Sequence, residues 1–191
     1  MVRIKICGIR DPETALVAAE AGADAVGFVF APGRRQVTVE EARAIAAALP
    51  PFVTKVGVFV DEDLYRVRDV ANAVRLDAVQ LHGGEPPEYA AALPLPVIKA
   101  VRMRDGASVD GMRAYRVAAF LLDSFEPDVA GGTGKSFNWT LARGLAAPAP
   151  VILAGGLTPE NVREAIETVR PFGVDVSSGV ESGGRKDPGK I

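Results

Sequence analysis

Eight short apolar runs that alternate with helical patterns most constrain the fold of this 191-residue chain. Most of the runs are continuously apolar, which is typical of strands buried on both faces of a parallel sheet. Alternating strands and helices predict an α/β fold, and eight such units favour a closed (β/α)8 TIM barrel with a parallel eight-stranded sheet over an open, doubly wound sheet. The predicted strands are Val2–Cys7, Asp24–Phe30, Val53–Val60, Asp77–Leu81, Val97–Val101, Ala118–Leu122, Pro150–Leu153 and Gly173–Val176.

Capping signals mark where the intervening helices begin. Asp11, followed by Pro12 and Glu13, provides a cap, a first-turn proline and an acidic first turn ahead of Ala15–Ala21. Thr38 with Glu41 predicts a capping box before Val39–Leu49. Further helices are predicted over 61–74, 86–93 and 158–169, and the weakest helical patterns lie at 105–115 and 136–145.

The length predicts a single domain over residues 1–191, with short loops because the chain lies slightly below the usual range for a TIM barrel. Asp187-Pro188 resembles the start of a helix, yet the sequence given stops at Ile191. We therefore expect the final barrel helix to be missing or truncated. Its absence would expose apolar surface on the last strand and the first helix, which predicts lower stability or a compensating dimer contact.

Composition restricts the possible partners and the compartment. The net charge is −2 and no basic run occurs, so the chain lacks the pattern of a nucleic-acid-binding protein. One Cys and one His cannot form a disulfide framework or a His/Cys zinc site within one chain. With no signal peptide and no apolar stretch long enough to span a bilayer, the sequence predicts a cytoplasmic protein with a small-molecule ligand.

Polar residues follow the predicted strands where a TIM barrel has its active site, at the strands' carboxyl ends. Gly155-Gly156 follows strand 7 and Ser177-Ser178-Gly179 follows strand 8. Glycine lets backbone N–H groups approach an oxyanion closely, and these two loops form the usual phosphate site of the fold. Such glycines can also simply turn the chain, but their presence in both of the expected loops favours a phosphorylated ligand.

Cys7 and Asp123 end strands 1 and 6, on different sides of the barrel mouth. A lone cysteine is usually a small buried hydrophobe, but at this position a pocket that lowers its pKa would make the thiolate a general base. A carboxylate that ends an apolar strand must face the mouth or have a buried partner, so Asp123 is a candidate general acid. Arg34 and Arg35, in a Pro-Gly loop at the same rim, are candidate carboxylate ligands.

Gly131–Ser136 has some letters of a P-loop, but the first required glycine falls on Val129 and the pattern fails. We interpret the segment as a mobile loop over the site with glycine hinges. His82 at the end of strand 4 is compatible with a structural hydrogen-bonding role as well as with a place in the site.

Taken together, eight segments closely resemble the signature segments of phosphoribosylanthranilate isomerases. They occur in the family's order and extend from strand 1 to beyond strand 8. The segments are Lys5–Ile9, Gly27–Phe30, Gly57–Val60, Val79–Gly83, Leu121–Asp123, Gly132–Lys135, Leu153–Leu157 and Val174–Glu181.

The resemblance implies an Amadori rearrangement in tryptophan biosynthesis, in which N-(5-phosphoribosyl)anthranilate becomes 1-(2-carboxyphenylamino)-1-deoxyribulose 5-phosphate. It implies Cys7 as general base, Asp123 as general acid and Arg35 as the ligand of the anthranilate carboxylate, with adjacent Arg34 as the alternative. Backbone groups at four positions would hold the phosphate, three side chains would orient the substrate, and no metal or organic cofactor is expected. The phosphate ligands would be Gly155, Gly156, Ser178 and Gly179, and the orienting residues Gln80, His82 and Asp175.

Two other functions remain as alternatives. A phosphoribosyl-formimino isomerase of histidine biosynthesis performs the same chemistry on a doubly phosphorylated substrate, but it would need a second phosphate loop after strand 3. That stretch continues into Asp61-Glu62, is acidic and lacks a glycine pair. A non-catalytic phosphate-binding barrel would leave the presence of both Cys7 and Asp123 unexplained. The sequence leaves monomer and homodimer open.

Overall fold

The computed structural model describes residues 1–124 and 138–191, in which eight parallel strands pair in chain order and close into a barrel. The closing pair is the first strand with the eighth, in the register Lys5↔Asp175. The TIM barrel prediction is confirmed, whereas the predicted loop Gly131–Ser136 and the segment Gly132–Lys135 lie outside the described residues. The strands are β1 Arg3–Cys7, β2 Ala25–Val29, β3 Thr54–Phe59, β4 Ala78–Leu81, β5 Val97–Met103, β6 Ala119–Ser124, β7 Val151–Leu153 and β8 Gly173–Val176.

The described ranges contain five α-helices around the barrel and three 3₁₀ segments. Asp11 accepts a hydrogen bond from the Thr14 amide, and Thr38 and Glu41 form the predicted capping box. The α-helices are α1 Pro12–Glu20, α2 Val39–Ala48, α3 Leu64–Val74, α4 Pro87–Ala91 and α5 Val162–Val169, and the 3₁₀ segments are Gly106–Ala114, Trp139–Ala142 and Ser178–Val180.

Two helices begin later than the sequence predicts, because side chains bond to the backbone ahead of them. α3 begins at Leu64 instead of residue 61, since the Asp63 carboxylate accepts from the two amides that follow Leu64. α5 begins at Val162 instead of Thr158, since Asn161 accepts from the Thr158 amide and donates to the Gly156 carbonyl. These bonds make Thr158–Asn161 a tight turn, which holds the loop after β7 in place.

The barrel interior changes from apolar to polar along the strands. Ala78, Ala119 and Leu121 belong to a buried apolar cluster with residues of β3, β5 and β7. Because side chains alternate between the two faces of a strand, Gln80 and Asp123 point to the same side as these residues, one step nearer the carboxyl end. The fold therefore places a closed apolar floor beneath a polar mouth.

No α-helix follows β8 among the described residues. The chain forms a hairpin of β9 Glu181–Ser182 and β10 Arg185–Lys186 that turns through Gly183 and Gly184, both with positive φ. Asp187 then begins a single turn, because its carbonyl accepts the Ile191 amide at 3.2 Å. No helix in residues 1–124 or 138–191 has the length and apolar character that crossing a bilayer requires.

Candidate active site

A cavity of about 490 Å³ opens at the carboxyl ends of the strands. Its size suits a small phosphorylated metabolite. Nine of the ten predicted site residues line this cavity, and the exception is Gly179. Gly179 packs against Leu157, which lines the cavity, and an added Cβ would clash with the Leu157 carbonyl oxygen. The nine that line it are Cys7, Arg35, Gln80, His82, Asp123, Gly155, Gly156, Asp175 and Ser178.

Asp123 lies at the end of a hydrogen-bonded chain of three buried side chains. The Gln80 amide nitrogen lies 2.9 Å from His82 Nδ1, and His82 Nε2 lies 3.1 Å from Asp123 Oδ2. An amide nitrogen can only donate, so Nδ1 accepts, and Nε2 carries the proton that is donated to Asp123. The other carboxylate oxygen, Oδ1, accepts the Ser124 amide at 2.8 Å. Asp123 is thus fixed in orientation by contacts with both of its oxygens.

Cys7 lies across the mouth from Asp123, on β1, and its thiol is buried and unoxidised. Burial raises the pKa of the Cys7 thiol, whereas the nearby cations Lys5 and Lys186 lower it in part. The charge of Asp175 also raises this pKa, so burial and Asp175 together outweigh both lysines. The protein groups alone therefore do not meet the condition of a lowered pKa on which the sequence analysis based a general-base role. An ionised Cys7 needs further positive charge beside it.

A buried ion pair lies next to Cys7. Lys5 Nζ is 2.9 Å from Asp175 Oδ1, and both side chains are less than one-tenth exposed. Burial alone would lower the pKa of Lys5, but the charges of Asp175 and Cys7 more than offset that effect and raise it. Lys5 is therefore a permanent cation beneath the thiol.

Arg35 reaches the cavity from the loop after β2 and is held by Glu181 of β9. Its Nε and Nη2 atoms lie 2.6 Å and 3.0 Å from the two carboxylate oxygens of Glu181. Arg34 and Lys186 contact the same carboxylate at 2.9 Å and 3.1 Å. Burial would raise the pKa of Glu181, but Arg35 and Lys186 outweigh it and lower the pKa to about 2. The cluster carries three cations and one anion, and two of its members, Arg34 and Arg35, line the cavity.

The loops after β7 and β8 line the same cavity. Gly155 and Gly156 adopt φ of 81° and 64°, a region that favours glycine. A Cβ on Gly155 would also lie 2.6 Å from the Ser124 amide nitrogen. Ser178 and Gly179 open a 3₁₀ turn, and the first N–H groups of such a turn have no partner within it. The two loops together form a concave surface of N–H donors suited to an anion.

Comparison with known proteins identifies the family. Residues 4–191 match the family model of N-(5'-phosphoribosyl)anthranilate (PRA) isomerase. The chain belongs to this isomerase family. Membership makes the protein an enzyme, an isomerase of tryptophan biosynthesis, which confirms the function predicted from the sequence.

Individual isomerases resemble this chain over nearly their whole length. An N-(5'-phosphoribosyl)anthranilate isomerase from Geobacter sulfurreducens is 58% identical, over 100% of this chain and 95% of that protein. The phosphoribosyl anthranilate isomerase crystal structure from Thermotoga maritima has a TM-score of 0.89 at 46% identity, covering 100% and 95% of the two chains. A further isomerase structure, in complex with reduced 1-(o-carboxyphenylamino)-1-deoxyribulose 5-phosphate, has a TM-score of 0.85 at 45% identity, covering 100% of this chain and 94% of that one.

The structure adds three charged residues that the sequence analysis did not single out for the isomerase site: Lys5, Glu181 and Lys186. A signal for Lys5 was present, because a lysine inside a strand buried on both faces must have an anionic partner. Glu181 and Lys186 lie on a hairpin that the sequence analysis did not predict, so their place beside Arg35 had no local signal. In the described ranges, the His, Cys, Asp and Glu side chains form no cluster of three or more that would suit a metal ion.

Proposed function

We propose that Asp123 and Cys7 are the general acid and general base of the Amadori rearrangement of N-(5-phosphoribosyl)anthranilate. The observation that carries the proposal is their placement on β6 and β1, on opposite sides of one cavity that is also lined by Arg35 and by the loops after β7 and β8. Residues 1–191 act as a single domain, and the enzyme is cytoplasmic. The reaction needs no metal or organic cofactor.

In the first step, protonated Asp123 gives its proton to the furanose ring oxygen. The bond from C1 to that oxygen breaks, and the nitrogen lone pair forms a protonated Schiff base with C1. His82 and the Ser124 amide hold the two oxygens of Asp123, so the acid meets the ring in a fixed orientation. Because both ring nitrogens of His82 bond to protein groups, we assign it to positioning Asp123 and not to direct contact with substrate.

In the second step, the Cys7 thiolate removes the proton from C2. The electrons of that C–H bond form the C1=C2 bond of the enolamine and neutralise the Schiff base nitrogen. The positive Schiff base supplies the additional charge that the buried thiol needs to ionise, alongside Lys5 and Lys186. The enolamine then tautomerises: a proton adds to C1, and the C2 hydroxyl loses its proton as the C=O bond of the ketone forms.

Separate groups of the cavity wall bind the two charged groups of the substrate. Arg35 binds the anthranilate carboxylate, and backbone N–H groups of Gly155, Gly156, Ser178 and Gly179 bind the phosphate. Gln80 lines the same cavity, and its Oε1 is buried and has no partner among the described residues, which suits an acceptor for a sugar hydroxyl. Asp175, paired with Lys5, orients the sugar on the Cys7 side.

The two alternatives fit this geometry less well. The loop after β3 contains Asp61, whose carboxylate accepts the Gly84 amide, and the Asp61 amide in turn bonds to Glu85. These carboxylates would repel the second phosphate of the doubly phosphorylated substrate. A binding protein without catalysis would not need an oriented Asp123 opposite a cysteine.

We also propose that the protein forms a homodimer through the amino-terminal face of its barrel. Phe52 is fully exposed with a φ of 76°, and Phe172 and Ile4 are 54% and 40% exposed around the same depression. Exposed large apolar groups clustered on one face are typical of an interface. A solved isomerase from Thermotoga maritima is described as dimeric. Sedimentation of Phe52→Asp should give a lighter species than the parent chain, and equal masses would contradict this proposal.

The catalytic roles are tested by turnover of freshly generated N-(5-phosphoribosyl)anthranilate, followed as loss of anthranilate fluorescence. We expect Cys7→Ser and Asp123→Asn to lower kcat by at least a hundredfold while remaining folded, since general acid–base groups contribute about 10²–10⁴-fold. An unchanged kcat in either variant would remove that residue from the mechanism. Turnover of the doubly phosphorylated formimino substrate alone would replace the proposal with its nearest alternative.

A further inference from the structure

The carboxylate of Glu181, which no step of the proposed mechanism uses, lies at the centre of a cluster of three cations. Its side chain is 6% exposed, and it pairs with Arg34, Arg35 and Lys186. Lys186 is 4% exposed and also donates to the Ser177 carbonyl at 2.8 Å. A carboxylate so buried and so fully paired is a rigid element, because any movement would break several charged hydrogen bonds at once.

The contact between Glu181 and Arg35 occupies one edge of the guanidinium and leaves the other edge open. Glu181 bonds to Nε and Nη2, which form the side edge. The end edge consists of Nη1 and the second hydrogen of Nη2, and no described residue bonds to Nη1. Arg35 lines the cavity, so its unused edge is the one available to a carboxylate that enters.

We propose that Glu181 is a positioning residue that fixes the Arg35 guanidinium so that its open edge receives the anthranilate carboxylate. This inference rests on the proposed function, in which Arg35 binds that group. It makes the hairpin β9–β10 a determinant of specificity for substrates that carry an ortho-carboxylate. In this role Glu181 acts through Arg35 and does not contact the substrate.

The stem of Arg35 is constrained from a second side. It crosses Gly8, where an added Cβ would lie 2.6 Å from Arg35 Cδ, so only a glycine leaves room for it. The hairpin itself is anchored by Arg10, which donates to the Gly184 carbonyl at 3.2 Å and to the Arg34 carbonyl at 3.1 Å. An arginine has many rotamers in solution, and these contacts hold one of them before substrate arrives.

Charge also favours this arrangement over one in which Glu181 blocks the site. One carboxylate faces three cations, so the cluster keeps an excess positive charge that a second carboxylate can neutralise. The substrate carboxylate therefore adds to the Glu181–Arg35 pair and does not have to displace it. A bidentate contact on the open edge would be directional as well as attractive.

The experiment compares two substrates, N-(5-phosphoribosyl)anthranilate and N-(5-phosphoribosyl)aniline, which lacks the carboxylate. Product formation is measured chromatographically for the wild type, Glu181→Gln, Glu181→Asp and Arg35→Ala. We expect Glu181→Gln to lower kcat/KM for the anthranilate substrate by about ten- to a hundredfold, mostly through KM, because small misplacements of a positioning group have effects of this size. The aniline substrate should change by less than about threefold, which is within the spread of indirect effects.

Two controls separate this role from a general loss of structure. Glu85→Gln removes another buried carboxylate from its lysine, at 2.7 Å from Lys99, and Glu85 itself does not line the cavity. Any loss of kcat/KM in Glu85→Gln should be equal for the two substrates. Glu181→Asp keeps the charge but shortens the side chain, so it tests the two-point contact even if Glu181→Gln is poorly folded.

The outcomes distinguish the inference from the function on which it rests. Selective loss for the anthranilate substrate in both Glu181 variants supports it. Equal losses of kcat/KM for both substrates would overturn it. A lower KM for the anthranilate substrate in Glu181→Gln would also overturn it, because it would show that Glu181 competes with the substrate for Arg35. If Arg35→Ala itself shows no preference between the substrates, the assignment of Arg35 fails, and the inference fails with it.

Discussion

Replacing Glu181 with Gln should change how stability depends on pH, and the size of the change follows from its environment. The cations around Glu181 lower its pKa from 4.5 to about 2. A carboxyl whose pKa is lower in the folded state stabilises the protein above its unfolded pKa, and this stabilisation is lost as pH falls through the folded pKa. The shift corresponds to about 3 kcal/mol over the full titration, of which about 2 kcal/mol is lost between pH 6 and pH 3.

Urea unfolding of the wild type and Glu181→Gln at pH 6 and pH 3 measures this directly. The variant should be less stable at pH 6, and the difference in the free energy of unfolding should shrink by about 2 kcal/mol at pH 3. Glu164→Gln provides a control, since Glu164 is exposed on α5 and has no ion pair among the described residues. A stability difference for Glu181→Gln that is the same at both pH values would refute the reasoning, because the carboxylate would then contribute nothing through its charge.

Three other perturbations test separate parts of the site. His82→Ala should lower kcat by about ten- to a hundredfold with little change in KM, because Asp123 loses its partner at 3.1 Å. A rise in KM as large as the fall in kcat would contradict a positioning role. Gly179→Ala should destabilise the fold by about 1–3 kcal/mol and weaken the binding of inorganic phosphate, because the new Cβ would clash with the Leu157 carbonyl. Gly106→Ala is the control and should have neither effect, because the space around Gly106 is open. The rate should increase with pH as Cys7 ionises, because burial raises the pKa of its thiol. Lys186→Met should move this increase to higher pH, because the charge of Lys186 lowers that pKa. An unchanged pH profile would show that Lys186 has no electrostatic effect on Cys7.

The barrel and most of the site could be predicted from the sequence because the relevant signals are local. Continuous apolar runs define buried parallel strands, and polar residues at their carboxyl ends fall at the mouth in any TIM barrel. Cys7, Asp123 and the glycine pair at residue 155 each follow directly from a strand's position. The structure places them around a single cavity, as that reasoning requires.

The features that the sequence did not predict depend on contacts between distant segments. The Glu181–Arg35 pair joins residues 146 positions apart, and the Lys5–Asp175 pair joins residues 170 apart. The environment of Cys7 combines burial with charges from both ends of the chain, so the direction of its pKa shift could not follow from its position before a glycine. The later start of α5 depends on the Asn161 side chain, which outweighs the local Thr-Pro-Glu signal.

The most direct test of the site's assignments is a crystal structure of this protein with reduced 1-(o-carboxyphenylamino)-1-deoxyribulose 5-phosphate, the compound bound in a solved relative. We expect its phosphate on the N–H groups of Gly155 and Ser178, its carboxylate on the open edge of Arg35, and its sugar carbons between Cys7 and Asp123. A ligand bound in the reverse direction, or one in which Cys7 and Asp123 lie on the same side of the sugar, would contradict the account.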